Sequence, residues 1–150
     1  MVRAKYLMRK ITPIQENTEI REIIFKLMSS GLPGLPVVNG NHEIVGVVTE
    51  FDLMRTIQAG NKTDSITAGH IMSKKLITAG LDTTQDELIN LMLENHLTIV
   101  PILRGTKLAG IVSRFEIINA YVDPDDHKWI IREQKEECVG ESQQFSCSRV

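Results

Sequence analysis

The segment GVVTEFDLM, from Gly46 to Met54, returns as GIVSRFEII from Gly110 to Ile118. Around that pair the two halves of the chain align. Pro36 in LPGLPVV and Pro101 in LTIVPIL stand 65 residues apart, whereas Gly46 and Gly110 stand 64 apart. One residue is therefore lost between those two landmarks. Before each proline runs a helical period. Ile20, Ile23, Ile24, Leu27 and Met28 share one face in the first half; Leu88, Leu91 and Met92 do so in the second, with Ile89 and Leu93 beside them. NTEIRE and DTTQDE supply Asn or Thr caps followed by acids. After each proline an apolar run reaches a turn, NGNHE or RGTK. Asn39-Gly40 is a hairpin signal, and a one-residue length change is tolerated in such a turn. IVGVVT and LAGIVS then read as strands. Each passes into a short helix, carrying Leu53, Met54 and Ile57 or Ile117, Ile118, Tyr121 and Val122. Met28, Met54 and Met92 are expected in the core.

Each half thus predicts the order β-α-β-β-α, and the fold class is α/β with mixed sheets. Two copies are too few for a solenoid. A three-stranded sheet whose own helices cover one face must bury the other, and the twin repeat is the obvious cover. The expectation is a pair of repeats over 6–59 and 70–123 about a pseudo-twofold axis. The polar, Gly-flanked segment 60–69 links them, and HIMSKK after it echoes YLMRK near the N-terminus. Residues 124–150 have no counterpart. A helix over 125–138 is permitted there, and the polar stretch beyond Gly140 is expected to be disordered and dispensable for folding.

Charge and cysteine usage close off several function classes. A formal net charge of −2 leaves no basic excess for nucleic acid. No apolar run nears the roughly 20 residues that span a bilayer, and the N-terminus lacks a signal-peptide core. Cys138 and Cys147 are the only cysteines, read as free thiols in a reducing cytoplasm. His42, His70, His96 and His127 have no metal-ligand spacing, and HExxH, CxxC, GxSxG, Walker A and GxGxxG are all absent. With no activated nucleophile or metal set in view, neither an enzyme nor a metal site is predicted.

What remains is the repeated hydroxyl–acid pair. Thr49 and Asp52 are spaced as a capping box, T-x-x-D, and Ser113 and Glu116 as S-x-x-E. The same spacing also suits a ligand. A strand delivers the hydroxyl to the positive end of a helix, where an anion such as phosphate is favoured. The acid, repelled by phosphate, would instead accept from a ribose diol, as acids do in other nucleotide folds. Both readings stand, because a cap can release its side chain to a ligand. Arg9-Lys10 and Lys74-Lys75 occupy matching places, and Arg55 and Arg114 lie near the two helix starts. All six are candidate phosphate partners, or simply solvated surface bases.

The duplicated G-h-x-[T/S]-x-x-acid segment, the apolar strand with its proline and the β-α-β-β-α order resemble a tandem pair of CBS domains, the Bateman module, over about Tyr6 to Asp123. The resemblance implies a regulatory binding module with no obligatory cofactor. Its ligand would be an adenine nucleotide or adenosyl compound (AMP, ADP, ATP or S-adenosyl-methionine), held between the copies and sensed by an effector protein. It implies Thr49 with Asp52 at one site and Ser113 with Glu116 at the other, the hydroxyl on phosphate and the acid on ribose. It also implies a base cradle from the first strand and the proline strand of each copy. Those residues would be Ile11, Thr12 and Pro13 with Leu35, Pro36 and Val37, and Leu76, Ile77 and Thr78 with Val100, Pro101 and Ile102. Glu116 departs from the family's usual Asp by one methylene, so the Asp52 site is expected to bind more tightly. A homodimer is expected, since such modules commonly pair and FDLM and FEIINAYV carry apolar residues on more than one face. The alternative is a structural or protein-interaction pair whose clefts stay empty and whose T-x-x-D element is only a cap.

Overall fold

A computed structural model describes residues 2–60 and 65–122. The elements in chain order are α1 (Ala4–Leu7), β1 (Ile14–Gln15), α2 (Ile20–Ser30), β2 (Gly34–Val38), β3 (Ile44–Thr49) and α3 (Glu50–Gln58). They recur as α4 (Ala68–Ile71), β4 (Ala79–Gly80), α5 (Gln85–Asn95), β5 (Ile99–Arg104), β6 (Lys107–Ser113) and α6 (Arg114–Val122). The predicted β-α-β-β-α order is present twice, each time preceded by a one-turn helix that periodicity does not reveal. The expected helix over 125–138 and the rest of the tail lie outside the described residues, as does part of the linker, 61–64.

Two three-stranded mixed sheets form, ordered β1-β2-β3 and β4-β5-β6. In each, a two-residue strand runs parallel to the middle strand (Ile14 opposite Val37, Ala79 opposite Ile102) and a hairpin completes the sheet. The first strands are shorter and later than Ile11 to Pro13 and Leu76 to Thr78. The reason is where the chain comes from. Arg9 bridges to Ile111 in the second sheet, and Ser73 bridges to Val47 in the first. The residues that follow are spent crossing from one repeat to the other, so pairing starts only at Ile14 and Ala79.

The leading segments are therefore exchanged. The first core gathers Ile14, Ile20, Ile23, Leu35, Val37 and Val48, but also Ala68 from α4 and Ile99 and Ile111 from the second sheet. The second core gathers Leu88, Met92, Val100, Ile102 and Val112, and is completed by Ala4 and Leu7 of α1. Main-chain bonds hold both docked segments. Ala4 N–H donates to the Thr83 carbonyl at 2.8 Å, and Arg9 and Ile111 exchange bonds of 2.8 and 3.0 Å. In mirror image, Ala68 N–H donates to Thr18 at 2.9 Å, and Val47 and Ser73 exchange bonds of 3.1 and 2.9 Å.

These bridges define the pseudo-twofold axis. Arg9–Ile111 becomes Ser73–Val47 when each residue is replaced by its counterpart, and Arg3–Thr84 becomes Thr67–Glu19. Glu43 bridges Lys107, its own counterpart, so the axis passes between the two hairpin tips. The recurring glycines now have a cause. A Cβ on Gly46 would stand 2.5 Å from Met72 Sδ, and one on Gly110 would stand 2.7 Å from the Arg9 carbonyl oxygen. Each glycine marks where the other repeat's leading segment crosses the hairpin.

Several local expectations are corrected. Met28 is 80% exposed and Met54 63% exposed, and of the three methionines expected in the core only Met92 is there. Thr56 and Ala120 take inward positions on α3 and α6 that leave Met54 and Ile118 outside. Of the two predicted caps, Thr84 holds, closing a box with Glu87. Helix α2 begins after Glu19 without a side-chain cap, and the Thr18 hydroxyl instead accepts from Gln15 N–H at 2.9 Å. In the first hairpin Asn39 Oδ1 accepts from Asn41 and Glu43 N–H, and His42, not Gly40, takes the positive φ of 62°. The Asn39 side chain supplies the turn's bonds, so the loop is wider than a two-residue Asn-Gly turn.

Candidate ligand site at two mirrored strand-to-helix junctions

Thr49 ends β3 opposite Gly34, and Ser113 ends β6 opposite Ile99. Each then begins a helix of nine residues. Thr49 has extended backbone (φ −112°, ψ 168°), as an N-cap requires. Its N–H and hydroxyl both donate to Asp52 Oδ2, at 2.8 and 3.0 Å. Ser113 N–H donates to Glu116 Oε2 at 2.8 Å, and its hydroxyl donates to the same oxygen. Phe115 N–H in turn donates to Ser113 Oγ at 3.1 Å. The capping box is thus formed at Thr49, and at Ser113 the acid closes back on the cap in the same way while the hydroxyl accepts from the second helical residue. The first residue of each helix is also tied back, Glu50 N–H to Pro33 and Arg114 N–H to Thr98.

Each box consumes one carboxylate oxygen and leaves the other turned elsewhere. Asp52 Oδ1 lies 3.9 Å from Arg55 Nη1, one turn along the same helix. Glu116 Oε1 lies 3.7 Å from Arg9 Nη1, which arrives on the exchanged leading segment. Arg9 is further held by its Nη2 donating to the Ser30 carbonyl at 3.1 Å. Both acids are mostly buried while both arginines reach solvent. Neither ion pair is short, so each adds little to stability. What each junction offers is a carboxylate oxygen able to accept from a diol, beside a hydroxyl at a helix start.

The remaining predicted residues divide. Leu35, Val37, Val100 and Ile102 are fully buried members of the two cores, and Pro36 and Pro101 are buried between them in sequence. Ile11, Pro13, Leu76, Ile77 and Thr78 are half-buried, and Thr12 is exposed. Of these residues, those on the crossing segments carry the accessible surface and those on the middle strands do not. Lys10, Lys74, Lys75, Arg55 and Arg114 are exposed, and Arg9 is the member of the basic set joined to a site acid from the other repeat. The pairing of Arg9 with Glu116 and the crossing at Gly46 and Gly110 are not visible as sequence spacing. Their one trace is the echo between YLMRK and HIMSKK.

Two interlocked β-α-β-β-α repeats with matching hydroxyl–acid junctions define a tandem pair of small, intertwined α/β domains. A CBS-domain family model matches residues 2–59 and 68–123, and the chain belongs to that family. It is 32% identical over 99 residues to the uncharacterised protein MK0525 of Methanopyrus kandleri, covering 65% of this chain and 50% of that one. The chain spans half or less of the length of the first curated relatives it matches. It shares its fold with CBSX2 in complex with AMP (TM-score 0.70, 22% identity, 81% of this chain and 97% of that one). It shares it also with the CBS domain pair of MJ0100 in complex with 5′-methylthioadenosine and S-adenosyl-L-methionine (TM-score 0.71, 24% identity, 81% and 96%). No helix among the described residues is long and apolar enough to cross a membrane.

Proposed function

We propose that this CBS pair is a ligand-sensing module. It binds an adenine nucleotide or adenosyl compound between its repeats and passes the resulting state to an effector protein. The observation that carries the reading is the duplicated junction. A strand-end hydroxyl and a carboxylate with one oxygen outside the cap, held only by a long ion pair, meet a helix start at Thr49/Asp52 and again at Ser113/Glu116. Similar pairs crystallised with AMP, 5′-methylthioadenosine and S-adenosyl-L-methionine support the ligand class. In this reading the hydroxyl faces phosphate or its replacement and the acid accepts from the ribose. The half-buried crossing segments flank the base, and the exposed bases near the helix starts supply counter-charge. Signalling requires that ligand favour one arrangement of the repeats over another, since binding both equally shifts nothing.

The module acts in the cytoplasm as a homodimer. Phe51, Met54 and Ile57 on α3 and their counterparts Phe115, Ile118 and Tyr121 on α6 form two matching exposed apolar rows. Rows of that kind are characteristic of surfaces that meet a partner.

A thermal-shift panel of AMP, ADP, ATP, S-adenosyl-methionine and 5′-methylthioadenosine tests the ligand reading. Ligand at a hundred times its Kd should add about 2.7 kcal/mol. That corresponds to a rise of roughly 5–10 °C in Tm. The second reading, an interaction module with empty clefts, is favoured by one observation: Thr49 and Ser113 already satisfy their acids. A flat response to the whole panel would select it.

A further inference from the structure

Aligning the two junctions by their 64-residue offset exposes where the copies disagree. Thr49 and Asp52 fall on Ser113 and Glu116, but Glu50 falls on Arg114, and Arg9 falls on Ser73. Both exchanges place positive charge at the second junction. Arg114 is the first residue of α6, where a cation opposes the helix dipole; Glu50, first in α3, agrees with it. A base in that position is unfavourable to the helix alone and favourable once an anion lies at its N-terminus. Arg9 is 42% exposed, sits 3.7 Å from Glu116 and is steadied by the Ser30 carbonyl. Its counterpart Ser73 occupies the mirrored bridge to Val47 and brings no charge. The cation beside Asp52 is Arg55, 77% exposed on the flank of its own helix. Lys75, which replaces Ile11, works in the opposite sense, but it is exposed and lies two residues beyond the bridge.

Resting on the adenosyl-binding reading above, we infer that the two sites take different classes of ligand. The Ser113/Glu116 site selects adenosyl ligands that carry phosphate on the 5′ carbon. The Thr49/Asp52 site selects those whose 5′ substituent is uncharged or cationic, such as a thioether or a sulfonium. A 5′-phosphate at the start of α6 meets Arg114 on the helix and Arg9 on the crossing segment. At the start of α3 it meets Glu50 instead, with Arg55 as the cation beside Asp52; the capping acids Asp52 and Glu116 are common to both sites, so the difference rests on Glu50 against Arg114 and Ser73 against Arg9. A thioether is indifferent to Glu50, and a sulfonium is attracted by it. The expectation that the Asp52 site binds more tightly then applies to phosphate-free ligands.

Isothermal titration of the full chain with AMP and with 5′-methylthioadenosine tests this. Asp52→Ala leaves the Glu116 site, and Glu116→Ala leaves the Asp52 site. The Asp52→Ala protein should prefer AMP by about tenfold or more, and the Glu116→Ala protein should prefer 5′-methylthioadenosine. Adding Arg9→Ser and Arg114→Glu to the Asp52→Ala protein should abolish the AMP preference while 5′-methylthioadenosine binds as before. The preference should also shrink as salt is raised. Should the combined variant fail to melt cooperatively, Arg114→Glu alone, at an exposed position, should still lower the ratio. Equal ratios at the two sites, or a ratio unmoved by the exchange, would overturn the inference and leave the ligand reading intact. If the parent binds neither compound, the ligand reading itself falls and takes the inference with it.

Discussion

Replacing Gly110 by alanine should destabilise the protein markedly more than the same change at Gly46, although the two glycines occupy equivalent positions. A Cβ at Gly110 would stand 2.7 Å from the Arg9 carbonyl oxygen, 3.2 Å from Met8 Sδ and 3.3 Å from the Arg9 carbonyl carbon. Two of those atoms are backbone, pinned by the reciprocal Arg9–Ile111 hydrogen bonds. Relief requires the leading segment to retreat by roughly 0.5 Å or more. Overpacking of that kind costs about 1–3 kcal/mol. A weakened main-chain bond costs about 1 kcal/mol more. The stiffer unfolded chain returns about 0.5 kcal/mol. The net is about 2–3 kcal/mol. At Gly46 the three nearest atoms are Met72 Sδ, Cγ and Cβ, at 2.5, 2.9 and 3.1 Å. A methionine side chain can swing aside, so about 1 kcal/mol or less is expected. For a chain of this size the difference in Tm is roughly 4–8 °C. Thermal unfolding followed by circular dichroism, with urea midpoints as a second measure, reads it directly. If Gly46→Ala costs as much as Gly110→Ala, or if Gly110→Ala is neutral, the exchanged-segment packing is wrong.

Three further outcomes follow from the same geometry. Leu7→Ala removes a fully buried side chain from the second core and should cost about 2–5 kcal/mol; a fragment beginning at Ser65, which lacks α1, should show no cooperative melt where the full chain does. Lys5, through its hydrogen bond and charge, holds the Asp82 carboxyl below its usual range, and Thr84 does the same for Glu87 through its N–H and hydroxyl. A depressed folded value means stabilisation that is present above the unfolded value and lost as pH falls through the folded one, so the urea midpoint should drop below about pH 4, and drop less in Asp82→Asn. Phe115→Glu combined with Ile118→Glu alters residues that are 70% and 60% exposed; the isolated fold should change by no more than about 1 kcal/mol, while the light-scattering mass should fall from dimer to monomer.

The repeat was legible because both copies keep the same apolar period, the same proline and the same turn, and each of those has a local cause. Ile20, Ile23 and Leu27 point inward as their spacing requires, and Thr84 caps its helix with Glu87. The hydroxyl–acid pairs were legible for the same reason: a capping box is a contact between neighbours in sequence. What sequence could not give was the exchange of leading segments. Whether α1 lies on its own repeat or on the other is decided some 75 residues away, where Lys5 N–H meets Leu81, and no local pattern encodes it. Met28 and Met54 were misplaced because a methionine suits a core gap and an exposed contact face equally well. The middle-strand residues Val37 and Ile102 show the same limit. The family resemblance put them in a base cradle, and only the packing of both sheets shows that they belong to the cores.

The central claim is that the two hydroxyl–acid junctions are ligand sites and not caps alone. Its most direct test is isothermal titration of AMP and 5′-methylthioadenosine into the parent and into the double variant Asp52→Ala, Glu116→Ala. The parent should give saturable heat with no more than two ligands bound per chain. The double variant, still folded after losing about 1 kcal/mol for each damaged cap, should give none. Binding that persists unchanged in the double variant, or a parent that binds neither compound, would contradict the account and leave the junctions as helix caps.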